Sequence, residues 1–310
     1  MNGRQLKFGV ALGGGAARGW AHVGVLRALQ EAGLEPDVVA GTSIGALVGA
    51  ALAAGELDRF ESWVRSLRLM DVVGLMDVRF SGGLLKGDRL MNFFNKRFTD
   101  RPIAELGLPF GAVATDLRTG SEVWLRDEYV LEAVRASIAL PGLLAPVILQ
   151  GRTLVDGVLV NPVPVSLARA MGADVVLAVD LSSDILGRHL RPEQNDASLS
   201  ESAADDPDRH EDISQRISSR FSQLFRQKGP AIPSVFGVVA SSLSIMQVRI
   251  TRSRMAGDPP DVKVEPRLGQ IGLMEFHRAA ETIDAGHRAT RHVISSLREI
   301  LSDSTRTAPP

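Results

Sequence analysis

Two short stretches carry residue types suited to nucleophilic chemistry. The first is 41–45, Gly-Thr-Ser-Ile-Gly, set between an apolar run at 38–40 and a small-residue run that reaches Gly55. A serine delivered by a strand and leaving on a helix stands on a tight, strained turn, and only small neighbours fit around it. Gly41 and Gly45 meet that demand. The helix behind such a turn directs N–H groups and partial positive charge at the reacting centre. Ser43 is therefore a candidate nucleophile; the other reading is an N-cap serine or a phosphate-binding turn.

The second stretch, 154–164, "LVDGVLVNPVP", puts Asp156 at the end of an apolar strand, followed by Gly157. In α/β folds the carboxyl ends of strands carry the sites. Asp156 is either the turn residue of a D-G pair or, if it faces Ser43, a general base. Histidines are poor rivals for that role. His189 and His210 lie in or beside a polar stretch, His277, His287 and His292 fall on an expected C-terminal helix, and His22 precedes the serine on the first helix. An ordinary carboxylate is a weak base for a hydroxyl, so geometry and a water-poor site must compensate.

A third element is the loop 13–19, "GGGAARG", whose N–H groups can converge on an oxyanion. The alternative is a dinucleotide fingerprint: Asp37 stands at about the right distance for a ribose contact, but Arg18 occupies the last glycine position. Arg18 either braces the loop or is a solvated arginine at a helix start.

The elements that must position these groups alternate as a parallel α/β layer fold. Strands are expected at 6–12, 38–40, 109–117, 121–125, in two pieces across 147–165, at 173–181 and at 261–266. Helices are expected at 20–32, 46–54, 57–69, 88–98, 129–140, 213–227, 234–256 and 273–300. The segment 70–87, apolar but broken by glycines, reads either as a flap touching lipid through Leu75, Met76, Phe80 and Leu84 or as core packed under a loop. Residues 184–212 are acidic and poor in apolar side chains, the composition of a mobile insertion. The division expected is a core at 6–181, a polar insertion at 182–215, a helical extension packing on the core at 216–300, and a frayed tail at 301–310.

Composition excludes several classes. The 310 residues are 45% hydrophobic, carry a net charge of −1 and contain no cysteine. A nucleic-acid binder would carry a basic excess. Disulfides, thiolate metal sites and thiol nucleophiles are ruled out. No leader is visible and no apolar run approaches the ~18 residues of a membrane span, so the expectation is a cytoplasmic protein whose membrane contact is peripheral, at the inner face.

These motifs resemble those of the patatin-like phospholipase family: a G-G-G-x-R-G loop, G-x-S-x-G and D-G-[AG]. Here they read "GGAARG" (14–19), "GTSIG" (41–45) and "DGV" (156–158), in the family order. The likeness covers about residues 6–181, and "GWAHVGVLRALQEAG", "RASIALPGLLAPV" and "LVDGVLVNPVPVSLARAMGADVV" also resemble bacterial members. "RMAGDPPDVKVEP" (254–266) is similar to the RssA-like branch of the neuropathy-target-esterase type. The resemblance implies a three-layer α/β/α fold with a mostly parallel central sheet, and a Ser–Asp dyad hydrolysing acyl esters of lipids without histidine, metal or other cofactor. Carried over, Ser43 is the nucleophile and Asp156 the proton acceptor. The glycine loop is Gly13, Gly14, Gly15, Ala16, Arg18 and Gly19, with Gly14 and Gly15 as oxyanion donors; Gly41, Gly45 and Gly157 are the motif glycines. Ala16 stands where a third glycine is usual, so the loop must accommodate a Cβ. Val158 replaces a small residue beside Asp156. A regulatory or adaptor protein on the same fold, without turnover, is the second reading, and a nucleotide-binding oxidoreductase the third.

Overall fold

In the computed structural model the described residues are 6–71, 100–184 and 235–303. Those up to 184, and those from Ser244 onward, belong to one compact body; residues 235–243 belong to a second unit that ends at Leu243.

The body is built on one eight-stranded sheet. Strands β1 (Phe8–Leu12), β2 (Val38–Thr42), β3 (Phe110–Asp116), β7 (Val175–Val179) and β8 (Val262–Val264) run parallel in the spatial order β3-β2-β1-β7-β8. Parallel strands are covered on both faces and read as unbroken apolar runs. "FGVAL", "VVAGT" and "VVLAV" do so, and every residue in them is buried. Strands β4 (Glu122–Leu125) and β6 (Arg152–Asp156) pair antiparallel with β3, and β5 (Val147–Leu149) pairs antiparallel with β6. Gln150 and Gly151, with φ of 49° and 75°, close the β5–β6 hairpin in the left-handed backbone that a two-residue turn requires.

The register of β3 decides where the site lies. One edge of β3 pairs with β4 over Ala112–Thr115. The opposite edge pairs with β2 over 110–113, Thr42 facing Val113. Beyond that point the edge left by β2 is taken by β6, with Asp156 facing Ala114. The two strands therefore meet head-on. Their last residues face consecutive positions of β3, a separation of one strand step, ~3.3 Å. Asp156 does end its strand as expected, but that strand runs against the parallel set.

Side chains alternate across the sheet. Phe8, Val10 and Leu12 face the larger core, which also holds buried residues of α1 (Ala21–Glu31), α2 (Ile44–Ala53), α3 (Leu57–Ser66) and α4 (Val130–Ser137), together with Ile283 of α7 (Ala279–Arg291). Ala11, Ala40, Val113 and Ala178 face the smaller one, with Val165, Leu167 and Ala168 of α5 (Val165–Ala170). This is the three-layer arrangement. The long helix α6 (Val235–Gly257) precedes β8, and α7 and α8 (Ile294–Ser302) are the last described helices.

Several elements differ from the sequence reading. The expected helix at 273–300 is broken into a short 3-10 turn, α7 and α8: Arg278, with φ −90° and ψ 35°, leaves helical geometry before α7, and a turn at His292 and Val293 separates α7 from α8. The loop 13–19 is partly a 3-10 turn, Ala16–Trp20, that runs into α1. Helix α2 starts at Ile44, directly after the serine, two residues earlier than expected. Leu75, Met76, Phe80 and Leu84 of the proposed flap, the expected helices at 88–98 and 213–227, and residues 185–212 of the polar stretch lie outside the described residues.

Candidate active site

Ser43 has φ 56° and ψ −126°, a backbone conformation that L residues rarely adopt. Its surroundings hold it there. Its N–H donates to Ser137 Oγ at 2.9 Å, and the Ser137 hydroxyl donates onward to Val113 O at 2.6 Å. Its carbonyl accepts from the N–H groups of Ala46 and Leu47, the first turn of α2. Thr42 Oγ1 donates to Asn161 O at 2.8 Å. The small flanking residue is a matter of contact: a Cβ on Gly45 would strike the carbonyl of Leu12, because α2 starts directly over the end of β1.

Asp156 is fully buried. Its Oδ2 accepts from Ser43 Oγ at 2.6 Å and its Oδ1 from the Val158 N–H at 2.9 Å. The main chain is fixed too: Asp156 N–H donates to Ala139 O, and its carbonyl accepts from Thr115 Oγ1. Burial pushes the carboxyl up to about 7, against the Ser43 hydroxyl and the Val158 N–H, both of which favour the charged form. A carboxylate of ordinary acidity would be a feeble base for a serine. One raised to near neutrality is matched to proton transfer at physiological pH.

The glycine loop passes beside this pair. A Cβ on Gly14 would lie 3.5 Å from Ser43 Cβ, and it would collide with Cγ1 of Val158. The bulkier residue after Asp156-Gly157 thus fills the space that Gly14 leaves. The loop's N–H groups do not all face the site. Gly13 N–H donates to Val179 O and Gly14 N–H to Pro162 O, so Gly14, expected as an oxyanion donor, is already engaged. The Gly15 and Ala16 N–H groups have no acceptor among the described residues. Ala16 carries the Cβ that the loop had to accommodate and takes it at φ 49°, in the left-handed region.

Arg18 is buried, and its Nε donates to Ile271 O at 2.9 Å, so it braces the loop rather than facing solvent. Burial lowers its pKa while Asp184 and Glu275 raise it. His22 is also buried. Its Nε2 lies 2.7 Å from Gly13 O, and burial pushes the ring down to about 4. At neutral pH the ring is uncharged, so Nε2 carries the proton and donates to that carbonyl. Asp37 accepts from the Phe8 N–H at 2.7 Å, at the amino end of β1. It therefore stands at the opposite end of the sheet from the glycine loop, where it has no ribose to meet, and the dinucleotide reading loses its acidic partner.

Sequence reasoning passed over two residues. Ser137 lies 94 positions from the serine it supports, and Gln247 of α6, 233 positions from Gly14, donates to the Gly14 carbonyl at 2.9 Å. The stretch around Ser137 reads as the end of the helix at 129–140 and as part of the family resemblance, neither of which singles out Ser137, and nothing local marks Gln247. Among the described residues, no group of three or more His, Asp or Glu side chains is placed to hold a metal. No described helix is long and apolar enough to cross a membrane.

The site is a buried carboxylate hydrogen-bonded to a serine on a strained strand-to-helix turn, beside a glycine loop. The model of the patatin-like phospholipase family matches residues 10–169, and the chain belongs to that family. An uncharacterized NTE family protein of Mycobacterium tuberculosis is 32% identical over 97% of this chain and 95% of its own length. Human patatin-like phospholipase domain-containing protein 6 is 35% identical over 56% of this chain, which spans only 13% of that much longer relative. The crystal structure of VipD from Legionella pneumophila superposes with a TM-score of 0.55 over 94% of this chain and 67% of its own, at 13% identity, a likeness of fold alone. Membership places the chain among lipid acyl hydrolases at the level of the family.

Proposed function

We propose that the protein is a serine acyl hydrolase that cleaves lipid acyl esters through Ser43 and Asp156, without a histidine. The observation that carries this reading is the 2.6 Å hydrogen bond from Ser43 Oγ to the fully buried Asp156 carboxylate. Asp156 Oδ2 takes the hydroxyl proton as Ser43 Oγ bonds to the ester carbonyl carbon. The oxyanion forms against the N–H groups of Gly15 and Ala16. On collapse the ester oxygen leaves with the proton held by Asp156, giving an alcohol or lysolipid and an acyl-serine. Water then gives a proton to Asp156 and attacks the acyl carbon, and the fatty acid departs as Ser43 recovers its proton.

Membership of the patatin-like phospholipase family supports a lipid acyl ester as substrate, whether a phospholipid, a lysophospholipid or a simpler ester. Work at a lipid surface requires only peripheral membrane contact. The test is turnover of p-nitrophenyl esters of graded acyl length by the parent, Ser43→Ala and Asp156→Asn. Activity in the parent, lost in both variants while both remain folded, supports the dyad. A folded parent without turnover on any chain length would sink the proposal and favour the adaptor reading.

A further inference from the structure

The glycine loop is held largely from outside the segment that the family model matches. Gln247 Nε2 donates to Gly14 O at 2.9 Å, Ala17 N–H to Leu273 O at 3.1 Å, Arg18 Nε to Ile271 O at 2.9 Å and Trp20 Nε1 to Phe276 O at 3.0 Å. Each partner lies beyond residue 169, where the family match ends. The loop and all these partners belong to one compact body.

These bonds do different things. Ala17, Arg18 and Trp20 anchor the 3-10 turn behind the loop. Gln247 acts on a single peptide group, the one joining Gly14 to Gly15. In a trans, planar peptide the C=O and N–H point in opposite directions. A donor fixed on the Gly14 carbonyl therefore fixes the Gly15 N–H to point the other way. The preceding peptide is held at both ends, by His22 on Gly13 O and by Pro162 O on the Gly14 N–H. The following one is held by the bond from the Arg18 N–H to Gly15 O. Only the Gly14–Gly15 peptide depends on one side chain. It is flanked by glycine on both sides, where the backbone meets the least steric resistance to rotation.

From this we infer that Gln247 is a positioning residue for the reaction. It keeps the Gly14–Gly15 peptide from turning over and so holds the Gly15 N–H as an oxyanion donor. Gln247 touches neither the serine nor the aspartate in this role; it acts through the loop. The inference rests on the hydrolase reading of the site. It assigns a catalytic dependence to the C-terminal segment, whose contribution neither the motif residues nor the family match includes.

Gln247 is half-buried, so the site accepts side chains of similar length. Gln247→Leu removes the donor and keeps the bulk; Gln247→Lys restores a donor on a flexible stem. Loss of one oxyanion donor costs about 100- to 1000-fold, and a donor misdirected for part of the time costs less, on the order of 10- to 100-fold. The experiment measures kcat and KM on a soluble p-nitrophenyl ester, the fluorophosphonate labelling rate and the thermal midpoint for all three proteins. The expected result is a fall in kcat and labelling rate for the Leu variant, with KM within about twofold and an unchanged midpoint, and recovery of most of the loss in the Lys variant. Parental kcat in the Leu variant overturns the inference while leaving the hydrolase reading intact. So does a loss that tracks the midpoint, or one that Lys does not repair. A parent with neither turnover nor labelling overturns both.

Discussion

Replacing Asp156 by asparagine should stabilise the protein at alkaline pH while abolishing its chemistry. The carboxyl has an ordinary value of 3.8 and is pushed up to about 7 by burial in the folded state. Between those values the folded protein keeps a proton that the unfolded chain releases. Stability therefore falls as pH rises from about 4 to 7, and the penalty is complete above that range. At 1.36 kcal/mol for each pH unit, the interval between 3.8 and about 7 corresponds to a penalty on the order of 4 kcal/mol at pH 8. Asparagine carries no charge at any pH, and its amide fits the same partners. Its oxygen can accept from the Val158 N–H, which now bonds Oδ1, and its NH2 can donate to Ser43 Oγ. The assay is urea unfolding of parent and Asp156→Asn at pH 5 and pH 8, with parallel turnover measurements. The variant should gain several kcal/mol over the parent at pH 8 and much less at pH 5. The same titration makes the parent's kcat/KM rise with pH and level off above about 7, as the carboxylate form that accepts the proton becomes populated. An advantage that is absent at pH 8, or equal at both pH values, would refute the burial of a chargeable group at this position.

Ser137→Ala leaves the Ser43 N–H and the Val113 carbonyl without their shared hydroxyl. A loss of about 1–3 kcal/mol in stability is expected, with a fall in kcat as the strained serine relaxes; chemical unfolding and ester kinetics on the same preparation check both. Gly14→Ala drives a methyl group into Val158 Cγ1 and should displace the loop, lowering kcat by at least about tenfold. The double substitution Gly14→Ala/Val158→Gly frees that space and should recover activity lost in the single one, and a double-mutant cycle in kcat/KM with no coupling would count against the packing described.

Legibility in the sequence followed the range of each interaction. The strained elbow was readable because its demands are local: a short apolar strand, small residues at 41 and 45, and a small-faced helix behind. Asp156 was readable as a strand-end carboxylate, but not the direction of its strand, because a five-residue strand with only Leu154 and Val155 apolar looks the same in a parallel or an antiparallel pair. The glycine loop could be named, yet which N–H groups stay open could not. That depends on Val179 and Pro162, whose carbonyls take the Gly13 and Gly14 donors across the tertiary fold. Gln247 lay furthest from view, since a glutamine on a helix of mixed character becomes informative only when the fold brings it to Gly14. The break between α7 and α8 involves no glycine or proline and so left no local mark.

The most direct measurement is the position of an active-serine label. The protein would be treated with a fluorophosphonate at pH 8, digested and read by peptide mass spectrometry, with Ser43→Ala run alongside. Here the adduct should fall on the peptide containing Ser43, disappear in the variant and abolish ester turnover in proportion to its formation. Turnover that survives complete labelling of Ser43, or an adduct on a different serine in an active parent, would contradict the Ser43–Asp156 account.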